Sequence, residues 1–84
     1  MSLKGQVFRS SAGRDKGHLL AAVNADDCYV YVCDGKERPL DNPKRKNPRH
    51  IEACGVSLSD SQMRSDRALR KALAVIDTDM KTER

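Results

Sequence analysis

The chain has 84 residues and a net charge of +4, and its only aromatic residues are Phe8, Tyr29 and Tyr31. This length predicts a single domain with a thin core, since a chain near 60 residues buries only about 60% of its unfolded surface. A large enzyme cleft is excluded, and no apolar run approaches the roughly 20 residues that cross a bilayer.

The first quarter of the chain is patterned for two short strands. Residues 5–12 alternate weakly around Val7 and Phe8, and residues 18–25 form an apolar run, so we predict one strand in each. The segment between them, GRDKG at residues 13–17, is predicted as a loop because its glycines can adopt positive φ without penalty.

The clearest strand is CYVYVC at residues 28–33, where successive side chains point to opposite faces. Asp34-Gly35 then indicates a hairpin turn. Residues 36–40 are predicted as the return strand at a sheet edge, because Pro39 cannot donate to a ladder.

The next segment is basic and punctuated by prolines. Residues 41–48, DNPKRKNP, are predicted as a basic loop, and residues 49–53 as a short fifth strand. Four or five strands in about fifty residues fit a small, strongly bent barrel.

The last third of the chain changes period. Residues 59–62, SDSQ, have the spacing of a capping box. Apolar residues then recur mostly every three or four positions, which predicts an amphipathic helix from about Ser59: Met63, Leu69, Leu73, Ile76 and Met80.

The positive charge is concentrated in one segment. Residues 36–50 carry six basic and two acidic side chains, so they hold the whole net charge of the chain. A positive cluster on a neutral body indicates a polyanionic partner, nucleic acid first and an anionic membrane second.

Two blocks of the sequence resemble a known family. Residues 5–23, GQVFRSSAGRDKGHLLAAV, resemble the KOW motif in their strand start, Gly13, the Lys16-Gly17 pair and the second strand. Residues 29–51, YVYVCDGKERPLDNPKRKNPRHI, are similar to bacterial KOW-domain RNA-binding proteins, which are related to protein fourteen of the archaeal and eukaryotic large ribosomal subunit. Together the blocks cover roughly residues 3–52.

This resemblance implies a mostly β fold, an SH3-like barrel over residues 1–54, followed by a C-terminal helix and tail over residues 55–84. It implies RNA, most plausibly ribosomal, as the partner, bound through basic loops. The residues that it and the clustered charge assign to RNA binding are Arg9, Gly13, Arg14, Lys16, Gly17, Lys36, Arg38, Lys44, Arg45, Lys46 and Arg49.

Several alternatives stay open at this point. The two loop glycines either serve only to turn the chain or also let the backbone approach a phosphate. The basic run is either a solvated loop or a binding site. Tyr29 and Tyr31 share a strand face and either stack on unpaired bases or supply one residue to the core. The apolar stripe of the helix packs on the barrel or pairs with a second copy of the chain.

We expect neither catalysis nor a metal or other cofactor. His18, His50 and the three cysteines include no CxxC pair of the kind that zinc sites use, and no catalytic constellation is visible. The odd number of cysteines without a secretory signal predicts reduced thiols in a cytoplasmic protein that does not enter a membrane. The alternative to RNA binding is a protein–protein adaptor that docks on the ribosomal or transcription machinery, including contact with a ribosomal protein.

Overall fold

The computed structural model describes residues 3–82 and consists of one antiparallel sheet and one C-terminal helix. The sheet has the strand order β4-β3-β2-β1-β5, so β4 and β5 are its edges and the sheet is open. The elements are β1 (Gln6–Ser10), β2 (Leu19–Ala25), β3 (Val30–Cys33), β4 (Lys44–Lys46), a 3-10 turn (Pro48–His50), β5 (Ile51–Ser57) and α1 (Asp66–Thr82). The mostly β prediction with a C-terminal helix is therefore confirmed.

Two predictions in the middle of the chain are wrong. Residues 36–40 do not form a return strand, because the Asp34 carboxylate accepts hydrogen bonds from the backbone N–H groups of Lys36 and Arg38 at 2.9 Å and closes a turn. The return strand comes later, within the predicted basic loop, where Lys44–Lys46 pairs with β3 as β4. The basic run is therefore part of the sheet.

One face of the sheet, here called the helix face, is covered by α1. Its buried cluster joins strand residues to residues that follow the sheet: Val7, Leu19, Ala21, Cys33, Leu58, Met63, Leu69, Ala72 and Leu73. The apolar stripe of α1 is thus used within the domain. Of the two alternatives for this stripe, packing on the sheet is the one observed. Less apolar surface of α1 therefore remains for pairing with a second copy of the chain.

The opposite face, here called the inner face, carries a second cluster. Phe8, Ala22 and Ile51 pack together, and the register sets Leu20 opposite Phe8 and Val32 opposite Ala22. Leu20, Ala22 and Val32 are fully buried although α1 lies on the other side, so the sheet and its loops curl over this face. Register shifts with extra residues in β5, between Ala53 and Ser57, and in β2, between Ala22 and Asn24, provide the local bending.

The helix begins later than predicted. Ser59 and Gln62 do form the reciprocal hydrogen bonds of a capping box, but these close a single turn. The helix starts at Asp66, where the Ser65 hydroxyl accepts a hydrogen bond from the N–H of Ala68 at 3.1 Å. The preceding strand, β5, runs to Ser57, three residues beyond the predicted end of the barrel at residue 54.

The turn after β3 is fixed against the start of α1. Leu40 donates its N–H to the Asp66 carboxylate at 2.7 Å, and Arg70 donates to the Gly35 carbonyl at 3.3 Å. Gly35 has a φ of +79°, and a Cβ there would collide with the carbonyl oxygen of Asp66. The close approach of this turn to the helix therefore requires glycine.

Candidate nucleic-acid interface

A buried carboxylate lies at the centre of the basic residues. Asp15 is only 7% exposed, and its Oδ2 atom lies 3.2 Å from Lys44 Nζ and 3.8 Å from Lys46 Nζ. Burial alone would raise the pKa of Asp15, but the Lys44 hydrogen bond and the charges of Lys44, Arg38 and Lys46 hold that pKa below its ordinary value of 3.8. Asp15 is therefore ionised at neutral pH.

The β1–β2 loop, residues 11–18, presents Asp15 inward. Gly17 donates its N–H to the Ser10 carbonyl at 2.8 Å, and His18 donates to the Asp15 carbonyl at 2.8 Å, so the loop is closed on itself. Both of its glycines have positive φ. With Asp15 directed inward, its neighbours Arg14 and Lys16 are left exposed.

Strand β4 meets this loop because its side chains alternate. Lys44 and Lys46 lie opposite Val32 and Val30 of β3, on the inner face, while Arg45 points to the other face. Lys46 is 6% exposed, and its Nζ donates to the Ala12 carbonyl at 3.1 Å. Lys46 therefore has an internal role, holding the loop against the sheet edge.

The 3-10 turn brings a third segment to the same place. Ser11 of the β1–β2 loop donates its N–H to the His50 carbonyl at 2.8 Å. The Asn47 side chain begins the turn by accepting the N–H of Arg49 at 2.9 Å, and the Arg49 side chain is exposed. Arg49 precedes the residue whose carbonyl contacts the loop, so its backbone lies beside the loop although it is distant in sequence.

These contacts define one surface, here called the basic patch. Its members are cations of three segments that contact one another, namely the β1–β2 loop that carries Asp15, β4 and the 3-10 turn: Arg14, Lys16, Lys44 and Arg49. Arg38 contributes a further charge from the β3–β4 connection, since it acts on the same carboxylate. Arg14, Lys16 and Arg49 are exposed, so the charge of these three side chains faces solvent.

Three of the predicted cations lie outside the basic patch. Arg9 is on the helix face, where it contacts Asp77 at 3.2 Å and the Gly17 carbonyl. Lys36 lines a cleft of about 400 Å³ between the sheet and α1, and Arg45 lies over the ring of Tyr29. From sequence alone they were assigned to RNA binding because each is basic and lies within a few positions of other predicted contact residues along the chain.

The role of Asp15 is the feature that sequence reasoning missed. The partners of Asp15 are 29 and 31 positions away in the chain, so no local spacing links them to it. The one available sign was an acidic residue enclosed by Arg14 and Lys16 in a short loop.

Comparisons with known proteins add no relative. A scan against protein-family models finds no matching family, and a search of curated proteins finds no significant match.

Within residues 3–82 no helix is long and apolar enough to span a membrane. The same residues hold no group of three or more His, Cys, Asp or Glu side chains placed to bind a metal ion, and Cys28, Cys33 and Cys54 are free thiols.

Proposed function

We propose that this protein is a non-enzymatic RNA-binding module and that the basic patch is its phosphate-binding surface. The observation that carries the proposal is that three segments bearing cations contact one another, and that Lys44 and Lys46 of one segment pair with the buried carboxylate of another. A surface of this kind matches a polyanion, since lysine and arginine side chains that neutralise phosphates supply most of the affinity for nucleic acids.

We also propose that the open sheet is an SH3-like barrel of the KOW type. Two observations support this: β1 pairs with both β2 and β5, so the first and last strands are neighbours, and the inner face is buried although the helix lies on the other side. The loop that resembles the KOW motif, residues 13–17, contributes Arg14 and Lys16 to the basic patch. The resemblance favours ribosomal or translation-associated RNA.

The proposed contact residues are fewer than the sequence suggested. Arg14, Lys16, Lys44 and Arg49 contact phosphates, with Arg38 adding charge, while Lys46 positions the loop. If about four phosphates are neutralised, the logarithm of the binding constant should fall with the logarithm of salt concentration with a slope of roughly −3.

Two triple variants test the proposal. They remove the same charge from different places. The patch variant is R14A/K16A/R49A, and the helix variant is R64A/R67A/K71A, at exposed residues of α1 and of the turn just before it. At about 0.1 M salt we expect the patch variant to lower affinity for a structured RNA by about tenfold or more, with a shallower salt slope. We expect the helix variant to bind nearly as the parent does, because α1 packs on the face opposite Lys44.

Two results would contradict the proposal. One is the absence of measurable affinity of the parent protein for structured RNA at this salt concentration. The other is an equal loss of affinity in the patch and helix variants, which would mean that overall charge and not the patch drives binding. We do not propose the adaptor alternative, docking through a sheet edge or the terminal helix, because no contact among the described residues favours it over RNA binding and the apolar stripe of α1 packs on the sheet.

A further inference from the structure

A second cluster of flat side chains lies on the other side of β4. The Asp26 carboxylate organises the turn between β2 and β3, since its Oδ1 accepts the N–H groups of Cys28 at 2.8 Å and Tyr29 at 2.7 Å. Its Oδ2 accepts the hydroxyl of Tyr31 at 2.6 Å. One carboxylate therefore fixes the start of β3 and the position of the Tyr31 ring.

Arg45 completes this cluster from β4. It pairs directly with Tyr31 in the β3–β4 register, and its guanidinium carbon lies 4.5 Å from the centre of the Tyr29 ring. Arg45 is exposed and both tyrosines are partly exposed. We call Tyr29, Tyr31 and Arg45 the tyrosine–arginine platform.

The platform is not part of the hydrophobic core. Within the described residues neither core cluster includes Tyr29 or Tyr31, so the alternative in which one of them supplies the core does not hold. In a chain with three aromatic residues, two are thus held at the surface in defined positions. Packing of the core does not account for their placement.

The chemistry of the platform suits a nucleobase more than a phosphate. Tyrosine rings and guanidinium planes both stack on unpaired bases. The Asp26 carboxylate beside them is ionised, since the hydrogen bonds from Tyr31 and the turn lower its pKa, and it would repel a phosphate. A neutral, flat base meets no such penalty.

The platform and the basic patch are close enough for one RNA strand. Lys44 and Arg45 are consecutive residues of an edge strand and point to opposite faces, and successive residues of a strand are only about 3.3 Å apart. An RNA strand whose phosphates contact the patch can therefore place one base against the platform, on the other face of this edge strand.

We propose that the tyrosine–arginine platform binds an unpaired base of the RNA whose phosphates the basic patch holds. This inference rests on the proposed function and narrows its substrate. The preferred RNA has a loop, bulge or single-stranded end, because the bases of a continuous duplex are not free to stack on protein side chains.

The test compares two oligoribonucleotides of equal length and charge, an oligo(U) and an abasic oligomer that lacks bases. We expect the protein to bind oligo(U) about five- to tenfold more tightly than the abasic oligomer. Intrinsic fluorescence supplies a direct readout, since the chain has no Trp and its only two tyrosines are in the platform. Oligo(U) should quench this fluorescence and the abasic oligomer should not.

Matched variants assign the preference to particular groups. Tyr29→Leu and Tyr31→Leu keep an apolar side chain but remove the ring, so the preference for oligo(U) should disappear. Tyr31→Phe keeps the ring but loses the hydrogen bond to Asp26, so it should retain more of the preference than Tyr31→Leu does. Arg45→Lys keeps the charge at an exposed position, where folding is not at risk, and should weaken the preference severalfold because the guanidinium plane is lost.

The outcomes separate this inference from the proposed function. Equal affinity of the parent protein for the two oligomers, without quenching, overturns the platform but leaves phosphate binding in place. Failure to bind either oligomer contradicts the proposed function. A Tyr31→Phe variant that loses the preference as fully as Tyr31→Leu also overturns stacking, and the patch variant should lose affinity for both oligomers by the same factor.

Discussion

Asp15 shows how one acidic residue can organise a basic surface. It lowers the net charge of the patch, yet it fixes where the charge lies, because Lys44 and Lys46 both approach its carboxylate. Breaking a buried ion pair by removing one partner is costly, since the other charge is left without compensation. The buried Lys46 would be the residue left uncompensated.

We expect Asp15→Asn to destabilise the protein by about 2 kcal/mol, below the roughly 3–5 kcal/mol that breaking a fully buried pair costs. The value is reduced because the Lys44 side chain is 31% exposed and solvent screens it. Urea denaturation measures the change. The exposed Asp60 provides the control, since Asp60→Asn alters the charge equally and should leave the free energy of unfolding nearly unchanged.

The same substitution should weaken RNA binding. Asp15→Asn makes the protein more positive, so an effect of net charge alone would raise the affinity for RNA. If the carboxylate positions the β1–β2 loop, the affinity falls and Asp60→Asn does not reproduce the fall. A tighter complex with Asp15→Asn, measured by titration at constant salt, would show that the anchor is unnecessary.

Asp15 also predicts an acid-dependent loss of stability. Its pKa in the folded protein is below its ordinary value of 3.8, so its contribution is complete above that value. It is lost as the pH falls through the lower folded pKa. Thermal melts between about pH 6 and about pH 2 should therefore show a smaller acid-induced decrease for Asp15→Asn than for the parent.

The three thiols should differ in reactivity. Burial, with added repulsion from Asp34 and Asp66, raises the pKa of Cys33 to about 12, and its side chain is fully buried. Cys28 is exposed and Cys54 is intermediate. We expect alkylation of the native protein to label Cys28 first, then Cys54, and to reach Cys33 only on unfolding; rapid native labelling of Cys33, detected by mass spectrometry, would contradict this packing.

At the scale of elements, a glycine controls how the β3–β4 connection meets α1. Gly35 and Gly17 both have positive φ, but only Gly35 faces backbone atoms, those of Asp66 and Arg70. Gly17→Ala should cost roughly 1–2 kcal/mol through backbone strain. Gly35→Ala should cost about 2–5 kcal/mol, because the helix must also move, and equal losses for the two variants in denaturation would contradict the contact.

The strands that local pattern defines were predictable. Residues 18–25 and 28–33 contain continuous apolar or alternating runs, and β2 and β3 lie within them. Strand β4 was not predictable, since three consecutive cations between two prolines have no strand pattern of their own. They form a strand because Lys44 and Lys46 pair with the Asp15 carboxylate and Arg45 packs over the Tyr29 ring. All of these contacts join residues that are distant in sequence.

The same distinction applies to the candidate site. Arg14 and Lys16 could be named from the sequence because glycines enclose their loop. The burial of Lys46 and the pairing of Arg9 with Asp77 depend on how the loop and helix pack on the sheet. The capping box at Ser59 formed its own hydrogen bonds, yet the helix began at Asp66, so local hydrogen bonding did not fix the start of the helix.

At the scale of the whole molecule, the two faces of the sheet are covered by different parts of the chain. The helix covers one face, where Leu69, Ala72 and Leu73 join the larger buried cluster. On the inner face, the β1–β2 loop, β4 and the 3-10 turn meet at one end of the strands. This division leaves the basic patch on a surface that α1 does not cover.

The most direct test of the central claim is a map of backbone amide chemical shifts during titration with a structured RNA at about 0.1 M salt. Binding through the basic patch predicts the largest changes in the β1–β2 loop, β4 and the 3-10 turn, with little change along the exposed side of α1. Changes centred on α1, or of equal size over the whole surface, would contradict it.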